Sequence, residues 1–440
     1  MYMDVSSFFH GKRITVMGLG LLGRGVGDVK YLAESGAELI VTDLKSKEQL
    51  AESLEQLKSF PDITFVLGEH KLEDFRDRDF ILKAAGVPID SPYIDEARKN
   101  NISVRMSADL FMELSGVTSI GITGTRGKST VTHMLYEILK ESGIKVLLGG
   151  NVRGVSTLSL LSEATPEHIA VLELDSWQCQ GLGEANISAE TAVFTTFYPD
   201  HTNYYKNDKG KYLADKSNIF LYQSPDDIFV MGSQCAPILI EAYGEHIVGN
   251  TVIADENTLP KDWKLAIPGK HNRYDAGIAL AVARAQNVDD SVSKRVLENF
   301  NGVPGRLEKI AEKNGVVFYN DTTATTPEAT LSALSALNPK HTVLIMGGSD
   351  KELDMSILSA KLPEVKYVAF LAGSGTNLMH VDFPNTKIFD SLKEAFADAL
   401  SHASSGDSVI LSPAFASFGM FENEFDRGDK FVEIVKEYTA

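Results

Sequence analysis

The sequence predicts an α/β chain: three Rossmann-like or P-loop modules in series, each on a mostly parallel sheet. Three observations carry that reading. Short apolar, β-branched runs alternate with helical stripes from end to end, the pattern of repeated βα units. The runs lead into glycine-rich or small polar residues, and two of these loops, Gly18–Gly23 and Gly124–Ser129, have the form that cradles phosphate. At 440 residues the chain exceeds one ordinary core, so about two to four domains are expected.

Composition narrows the function classes. A net charge of −18 argues against bulk nucleic-acid binding, which needs a basic face. An acidic chain that handles phosphates must gather positive charge locally, and Lys128, Arg126, Arg306 and Lys351 are candidates for that. No apolar run approaches the roughly 18 residues of a membrane span, and the opening residues lack a signal-peptide core. Cys179 and Cys235 form neither a disulfide framework nor a metal spacing, which suits a reducing cytoplasm.

In the first module, the strand Arg13–Met17 runs into Gly18-Leu19-Gly20-Leu21-Leu22-Gly23, then a helix and a second strand, Leu39–Asp43. Asp43 falls where a dinucleotide site places its ribose-binding acid. Alone, this motif certifies a helix N-terminus near a pyrophosphate and not which pyrophosphate. A nicotinamide dinucleotide, another diphosphate such as a nucleotide sugar, and a purely structural turn all remain open. Strand-and-helix alternation continues through Ile63–Leu67, Phe80–Pro88 and Ile102–Arg105, and the module closes near residue 106.

The middle module, residues 107–302, is organised around Val117–Thr130. An apolar run enters Gly124-Thr125-Arg126-Gly127-Lys128-Ser129-Thr130, and a helix follows with Val131, Met134, Leu135, Ile138 and Leu139 on one face. Backbone N–H groups there hold phosphate oxygens, Lys128 reaches the outer phosphates, and the Ser129 hydroxyl can ligate Mg²⁺. Ile122 stands where the full Walker pattern has its first glycine, so the motif is the shorter Gly-Thr-x-Gly-Lys-Ser form. Glu173 and His201 lie at the ends of the strands Ile169–Leu174 and Thr191–Phe197, where parallel sheets bind ligands. They read equally as metal ligands or as an N-cap acid and a polar loop histidine. Lys216, lone on the helix Tyr212–Phe220, reads from the residues as a solvated surface lysine. His271 and Asn272 precede a helix expected over 274–286, as phosphate or base contacts or as caps.

The last module, residues 303–440, has strands Val316–Tyr319, Thr342–Met346, Tyr367–Leu371 and Ser408–Leu411, each leading into small polar residues. That is a third Rossmann-like module with a loop-built site.

Taken in order, these markers resemble the Mur ligases of peptidoglycan synthesis over nearly the whole chain. They are Gly18-Leu19-Gly20, Gly124–Thr130, Gly149-Gly150-Asn151, Leu172–Gln178, Asp200-His201, Gly269–Asn272, Gly305–Glu308, Asn320-Asp321, Gly347–Lys351 and Leu411–Ser417. The resemblance is greatest to the family members that join D-glutamate to UDP-N-acetylmuramoyl-L-alanine. It implies that Gly18, Leu19, Gly20, Leu21, Thr42 and Asp43 hold the UDP-substrate, in place of a dinucleotide. It assigns Gly124, Thr125, Arg126, Gly127, Lys128, Ser129, Thr130, Asn272, Arg306 and Asp321 to ATP, and Thr325, Lys351 and Ser417 to D-glutamate. Ser129, Glu173, His201 and a CO₂-carbamylated Lys216 would serve two Mg²⁺ sites, and Asn151 would meet the γ-phosphate and the activated carboxylate. The implied reaction makes an acyl phosphate from the acceptor carboxylate and ATP, which the amino-acid amine then attacks. His201, or a carboxylate near it, is the candidate for taking the amine proton, and closure of the third domain would exclude water. A cytoplasmic monomer acting on small molecules, with neither nucleic acid nor membrane as partner, is the corresponding expectation.

Departures from the family pattern fall at Thr323, where a lysine is usual, and at Asp175, Asp275, Asn203 and the order Glu424-Phe425. Rival readings are another Mur-type ligase with a different amino acid, a dinucleotide-dependent oxidoreductase resting on Gly18–Asp43, and a non-catalytic nucleotide-binding regulator. A diaminopimelate-adding ligase would carry Asp-Asn-Pro-Arg, which this sequence lacks. Folylpolyglutamate synthase is a weaker relative.

Overall fold

A computed structural model describes residues 5–20, 23–201, 204–351, 353–380, 383, 386–417 and 419–440. Leu21 and Asn203 lie outside the described residues. The chain folds into two compact units: one runs to Lys261 and takes in Tyr274–Val296, and the other comprises Asp262–Arg273 and Leu297–Ala440. Among the described residues no helix is long and apolar enough to cross a membrane.

The first unit carries two parallel sheets. Strands β1 (Arg13–Met17), β2 (Glu38–Asp43), β3 (Thr64–Leu67), β4 (Phe80–Lys83) and β5 (Ser103–Arg105) are ordered β3-β2-β1-β4-β5. The order reverses beside β1, whose register sets Met17 against Thr42 on one side and Lys83 on the other. A crevice forms at such a switch point, outside the carboxyl ends of the strands. The second sheet has β6 (Thr118–Thr123), β7 (Lys145–Gly150), β8 (His168–Glu173), β9 (Thr191–Phe194), β10 (Ile228–Gly232) and β11 (Asn250–Ala254), ordered β11-β10-β9-β6-β8-β7. The central strands β6, β8 and β9 are buried over most of their length, as strands of a parallel sheet covered on both faces are. In the helix Lys128–Glu141, the stripe of Val131, Met134, Leu135, Ile138 and Leu139 is fully buried, as its spacing predicts.

The second unit holds β12 (Glu308–Lys313), β13 (Val316–Asn320), β14 (Thr342–Gly347), β15 (Tyr367–Leu371), β16 (Lys387–Phe389) and β17 (Ser408–Leu411), ordered β12-β13-β17-β14-β15-β16. Only the β12–β13 pair is antiparallel among these. Two apolar clusters, around Phe370 and Phe415 and around Phe318 and Phe431, sandwich this sheet.

Two expectations need correction. The helix expected over 274–286 begins at Lys270, which puts His271 and Asn272 in its first turn and not ahead of it. The run Thr191–Phe197 is strand only to Phe194, because Thr195 and Thr196 turn to bind the phosphate-type loop.

Candidate active site

At the first sheet, the glycine-rich loop is shaped by an acid from β2. Asp43 Oδ2 accepts the N–H groups of Leu19 (2.9 Å) and Gly20 (3.1 Å), and Oδ1 accepts that of Lys45 (2.9 Å). Both carboxylate oxygens are therefore engaged in holding backbone. Beside it, the Thr42 hydroxyl lies 2.7 Å from His70 Nδ1. A cavity of about 710 Å³ opens there, lined by Gly18, Leu19, Gly20 and Asp43, by Gly150 at the end of β7, and by Thr157 and Gln178. Lys83, at the end of β4, lines it too and was not singled out from the sequence. Its ammonium donates to the Val87 carbonyl (2.9 Å), and burial pulls its pKa down to about 8.

In the second sheet, the loop Gly124–Thr130 is laced to the residues beyond β9. Thr125 N–H donates to Thr196 O (2.7 Å), Arg126 N–H to Thr196 Oγ1 (2.9 Å), and Thr195 Oγ1 to Arg126 O (2.6 Å). This closeness is why residue 124 is glycine: a Cβ would fall 2.0 Å from Thr195 Oγ1, and φ is +139°. Gly127 caps the following helix with no side-chain oxygen, so its first-turn N–H groups face outward as an anion cradle.

Lys128 curls back so that its ammonium donates to Gly124 O (3.0 Å) and Thr125 O (3.2 Å). Lys216 comes from the helix Lys209–Ser217 and is only 1% exposed, which overturns its reading as a surface residue. Its Nζ donates to the same Gly124 carbonyl (2.9 Å) and to Thr123 Oγ1 (3.2 Å). Burial, with Lys128 as a neighbouring cation, brings its pKa down to about 7. A substantial fraction of neutral amine then exists near neutral pH.

Asn151 and Glu173 meet at the ends of β7 and β8. The Asn151 N–H donates to Glu173 O (2.6 Å), and Asn151 Nδ2 approaches Glu173 Oε1 at 3.4 Å. Glu173 is buried at 2% exposure and does not cap the next helix. Asp175 does: it accepts Gln178 N–H (2.8 Å) while Gln178 Oε1 accepts Asp175 N–H (3.1 Å), a reciprocal capping box. That gives one of the departures a structural role. His201 packs on Trp177 with ring centroids 4.8 Å apart, and burial lowers its pKa, assisted by Lys216 and Lys128. The neutral imidazole is the form that ligates a metal or accepts a proton. Asp275, another departure, is buried against Gly127, and desolvation raises its carboxyl to about 7.

Among the described residues no three His, Cys, Asp or Glu side chains gather as a ready-made metal cage. Magnesium bound with nucleotide needs only one or two carboxylates, the remaining positions going to phosphate and water. The Ser129 hydroxyl, in the first turn of the helix Lys128–Glu141, and the Glu173 carboxylate, at the end of β8, are residue types that fit that demand.

In the second unit the expected D-glutamate residues converge. Lys351 Nζ donates to Thr325 O and lies as close to Thr325 Oγ1, both at 3.2 Å. Ser417 follows Ala416, which bridges to Ser349 two residues before Lys351. Asp321, assigned to ATP by resemblance, accepts Leu307 N–H (3.0 Å) and the Ser412 hydroxyl (2.7 Å), and burial raises it to about 7. Arg306 is exposed, and Asn272 Nδ2 donates to Pro268 O (2.5 Å). Thr323, at the missing lysine, donates its hydroxyl to Gly305 O (2.8 Å). Asn423 caps the last helix, so Glu424 and Phe425 are its first-turn residues. Another residue missed from sequence is Arg427, fully buried on that helix. It donates to Thr322 O (2.9 Å), Thr322 Oγ1 (3.1 Å) and Phe415 O (3.3 Å), tying together the loops that carry Thr325 and Ser417.

Switch-point crevice, phosphate cradle and loop-built third module together define a nucleotide-binding α/β protein of the P-loop type. Three family models match: the Mur ligase MurD-like N-terminal domain at residues 12–106, the Mur ligase middle domain at 122–266, and the Mur ligase glutamate ligase domain at 305–415. A UDP-N-acetylmuramoylalanine--D-glutamate ligase of Roseiflexus sp. is 34% identical, over 98% of this chain and 99% of its own length. The protein of that name from Borreliella burgdorferi (strain ZS7) is 34% identical over 96% of each chain. In structure, the UDP-N-acetylmuramate-alanine ligase MurC of Thermotoga maritima shares the fold, with a TM-score of 0.61 at 17% identity over 97% of this chain and all of its own. The chain belongs to the Mur ligase family, on its MurD-like branch.

Proposed function

We propose that this protein is the ATP-dependent ligase that joins D-glutamate to UDP-N-acetylmuramoyl-L-alanine, a cytoplasmic and monomeric enzyme of peptidoglycan precursor synthesis. Its three modules divide near residues 106 and 302. The observation that carries the reading is the Gly124 carbonyl shared by Lys128 and buried Lys216, beside an uncapped helix N-terminus. Lys128 and the helix N-terminus concentrate positive charge there in an otherwise acidic chain, as phosphoryl transfer demands, while the neutral form of Lys216 is free to react. The cavity from Gly18–Gly20 to Gly150 supports the acceptor assignment, since it joins a diphosphate-type loop to the neighbourhood of Asn151.

In this reading Gly18, Leu19, Gly20, Leu21, Thr42 and Asp43 seat the UDP-substrate. The acceptor carboxylate oxygen attacks the γ-phosphorus, the bond to the ADP oxygen breaks, and an acyl phosphate results. Lys128 and the N–H groups of Gly127–Thr130 neutralise the phosphoryl oxygens, while Asn151 donates its amide N–H₂ to them. The D-glutamate amine, held by Thr325, Lys351 and Ser417, attacks the acyl carbon and loses a proton to base as inorganic phosphate leaves. Asn272, Arg306 and Asp321 contribute to ATP. Magnesium, when bound, supplies charge neutralisation on the phosphates, with Ser129, Glu173, His201 and carbamylated Lys216 as its protein ligands. The carbamate forms when the neutral Lys216 amine attacks CO₂ and gives up a proton.

Phosphate release with ATP, Mg²⁺ and UDP-N-acetylmuramoyl-L-alanine, across a panel of D- and L-amino acids, tests the proposal. Release specific to D-glutamate supports it. Release with another amino acid moves the error to the pocket around Thr325, Lys351 and Ser417, and no release with any of them overturns the ligase reading.

A further inference from the structure

Asn151 is gripped from the first sheet. Arg24 opens the helix Arg24–Glu34 that follows the glycine-rich loop, and its Nη1 donates to Asn151 Oδ1 at 2.5 Å. One turn along that helix, Asp28 accepts the hydroxyls of Ser107 and of Ser156, the latter at 2.7 Å. The helix that carries Arg24 is thereby pinned to segments flanking the second sheet. Arg24 and Asp28 also line the same 710 Å³ cavity as Gly18–Gly20 and Gly150.

The chemistry of the pair has a direction. A guanidinium has five N–H donors and no acceptor, so it bonds only the oxygen of an amide. With Oδ1 turned to Arg24, the Asn151 N–H₂ must point the other way, and it approaches Glu173 Oε1 at 3.4 Å. Were the amide rotated by half a turn, an oxygen would face whatever anion arrives there, and a hydrogen bond to it would become a repulsion.

Resting on the reading in which Asn151 meets the γ-phosphate, we propose that Arg24 is a positioning residue that locks the Asn151 amide with its N–H₂ towards the transferred phosphoryl group. It acts through Asn151 and links the wall of the acceptor cavity to the ATP chemistry.

The test is the ratio of affinities for β,γ-methylene-ATP and ADP, measured calorimetrically with Mg²⁺ on the full chain. It needs neither acceptor nor amino acid, so it stands apart from the turnover assay. Arg24→Met should lower the preference for the triphosphate about tenfold, the scale of one hydrogen bond to a charged group, with ADP affinity unchanged. Arg24→Lys, still a pure donor, should restore much of the preference. Arg24→Gln, whose amide can bond in either sense, should fall between and serves if the Met variant does not fold. In an Asn151→Ala background the Arg24 substitutions should add nothing.

Equal loss for both nucleotides, unchanged preference in the Arg24 variants, or a full additional loss in the Asn151→Ala background overturns the proposal. If Asn151→Ala itself leaves the preference unchanged, the γ-phosphate assignment of Asn151 fails and this inference falls with it.

Discussion

Two adjacent glycines give a sharp test of the second sheet's geometry. At Gly150 a Cβ would sit 2.1 Å from Glu173 O and 2.9 Å from Glu173 C and N, all of them backbone, and φ is +83°. At Gly149 the nearest atoms are side-chain tips, Leu160 Cδ1 at 2.8 Å and Leu172 Cδ2 at 3.0 Å, which can rotate aside. Gly150→Ala therefore incurs left-handed strain of roughly 1–2 kcal/mol. Pushing the end of β8 away adds about 1–3 kcal/mol of overpacking, so the whole is about 2–5 kcal/mol. Gly149→Ala has no positive-φ strain, and a stiffer unfolded chain returns about 0.4–1 kcal/mol of its packing cost. At roughly 2–4 °C per kcal/mol for domains of this scale, Gly150→Ala should melt at least about 4 °C below wild type. Gly149→Ala should stay within about 2 °C of wild type by the same conversion. Because Gly150 precedes Asn151 and presses on Glu173, its variant should also lose turnover, on the order of 100-fold for an ångström of misplacement. Differential scanning calorimetry and the phosphate-release assay read both quantities. Equal losses at 149 and 150 would show that the close approach of β7 to Glu173 is not what requires glycine.

Lys128→Ala should abolish ATP turnover while lowering the fold's stability by no more than about 1–3 kcal/mol, since Gly124 O keeps Lys216 as a donor and Thr125 O loses the ammonium; calorimetry beside the assay separates the two. Asp321 titrates at about 7 in the fold against 3.8 as its ordinary value, so between those values the folded state holds the extra proton. Stability from this group is full at low pH and is lost as pH rises through about 7. Asp321→Asn should flatten the fall in melting temperature from pH 5 to pH 8, and an unchanged slope would refute the assignment. Arg427→Met leaves the Thr322 and Phe415 carbonyls without that donor, at about 1–3 kcal/mol each. Relief of a buried charge offsets part of this, since burial lowers Arg427 to about 10. The expected outcome is a lower melting temperature with a raised KM for D-glutamate, and unaltered values of both would sink the idea that Arg427 sets those loops.

What was legible in the sequence was what is encoded locally. The stripe Val131–Leu139 has one period and one buried face, so it reads correctly without its partners. The loop Gly124–Ser129 is recognisable because cradle chemistry lives within a few consecutive residues. Lys216 was not legible from the residues, because its helix is short and polar and its burial is created by Thr123 and Gly124, far away in the chain. Arg427 hid for the same reason: nothing in Glu424–Lys430 says that one of its charged residues faces inward. Arg24 stood next to a motif that was read, but Asn151, which gives it meaning, is 127 residues away.

Asp43 and Asp175 show a different case, in which each acid has a local backbone role that its sequence position also signals. Asp43 occupies the position of a ribose acid, and the resemblance moved it to a uridine diphosphate. In the fold its oxygens are engaged by the N–H groups of Leu19, Gly20 and Lys45. An acid so placed defines the loop's shape before any ligand arrives, and the ring of donors left to a diphosphate comes from the helix N-terminus behind it. Asp175 lies two residues beyond Glu173 and, by position alone, adds an acid beside it. Yet Asp-x-x-Gln ahead of a helix is a capping-box pattern, readable from four residues. Its carboxylate is engaged by Gln178 N–H, so the extra charge stabilises the start of that helix, and Glu173 keeps its place at the end of β8. Both acids bind backbone, and in both cases counting the N–H groups that needed a partner would have located them before any appeal to chemistry.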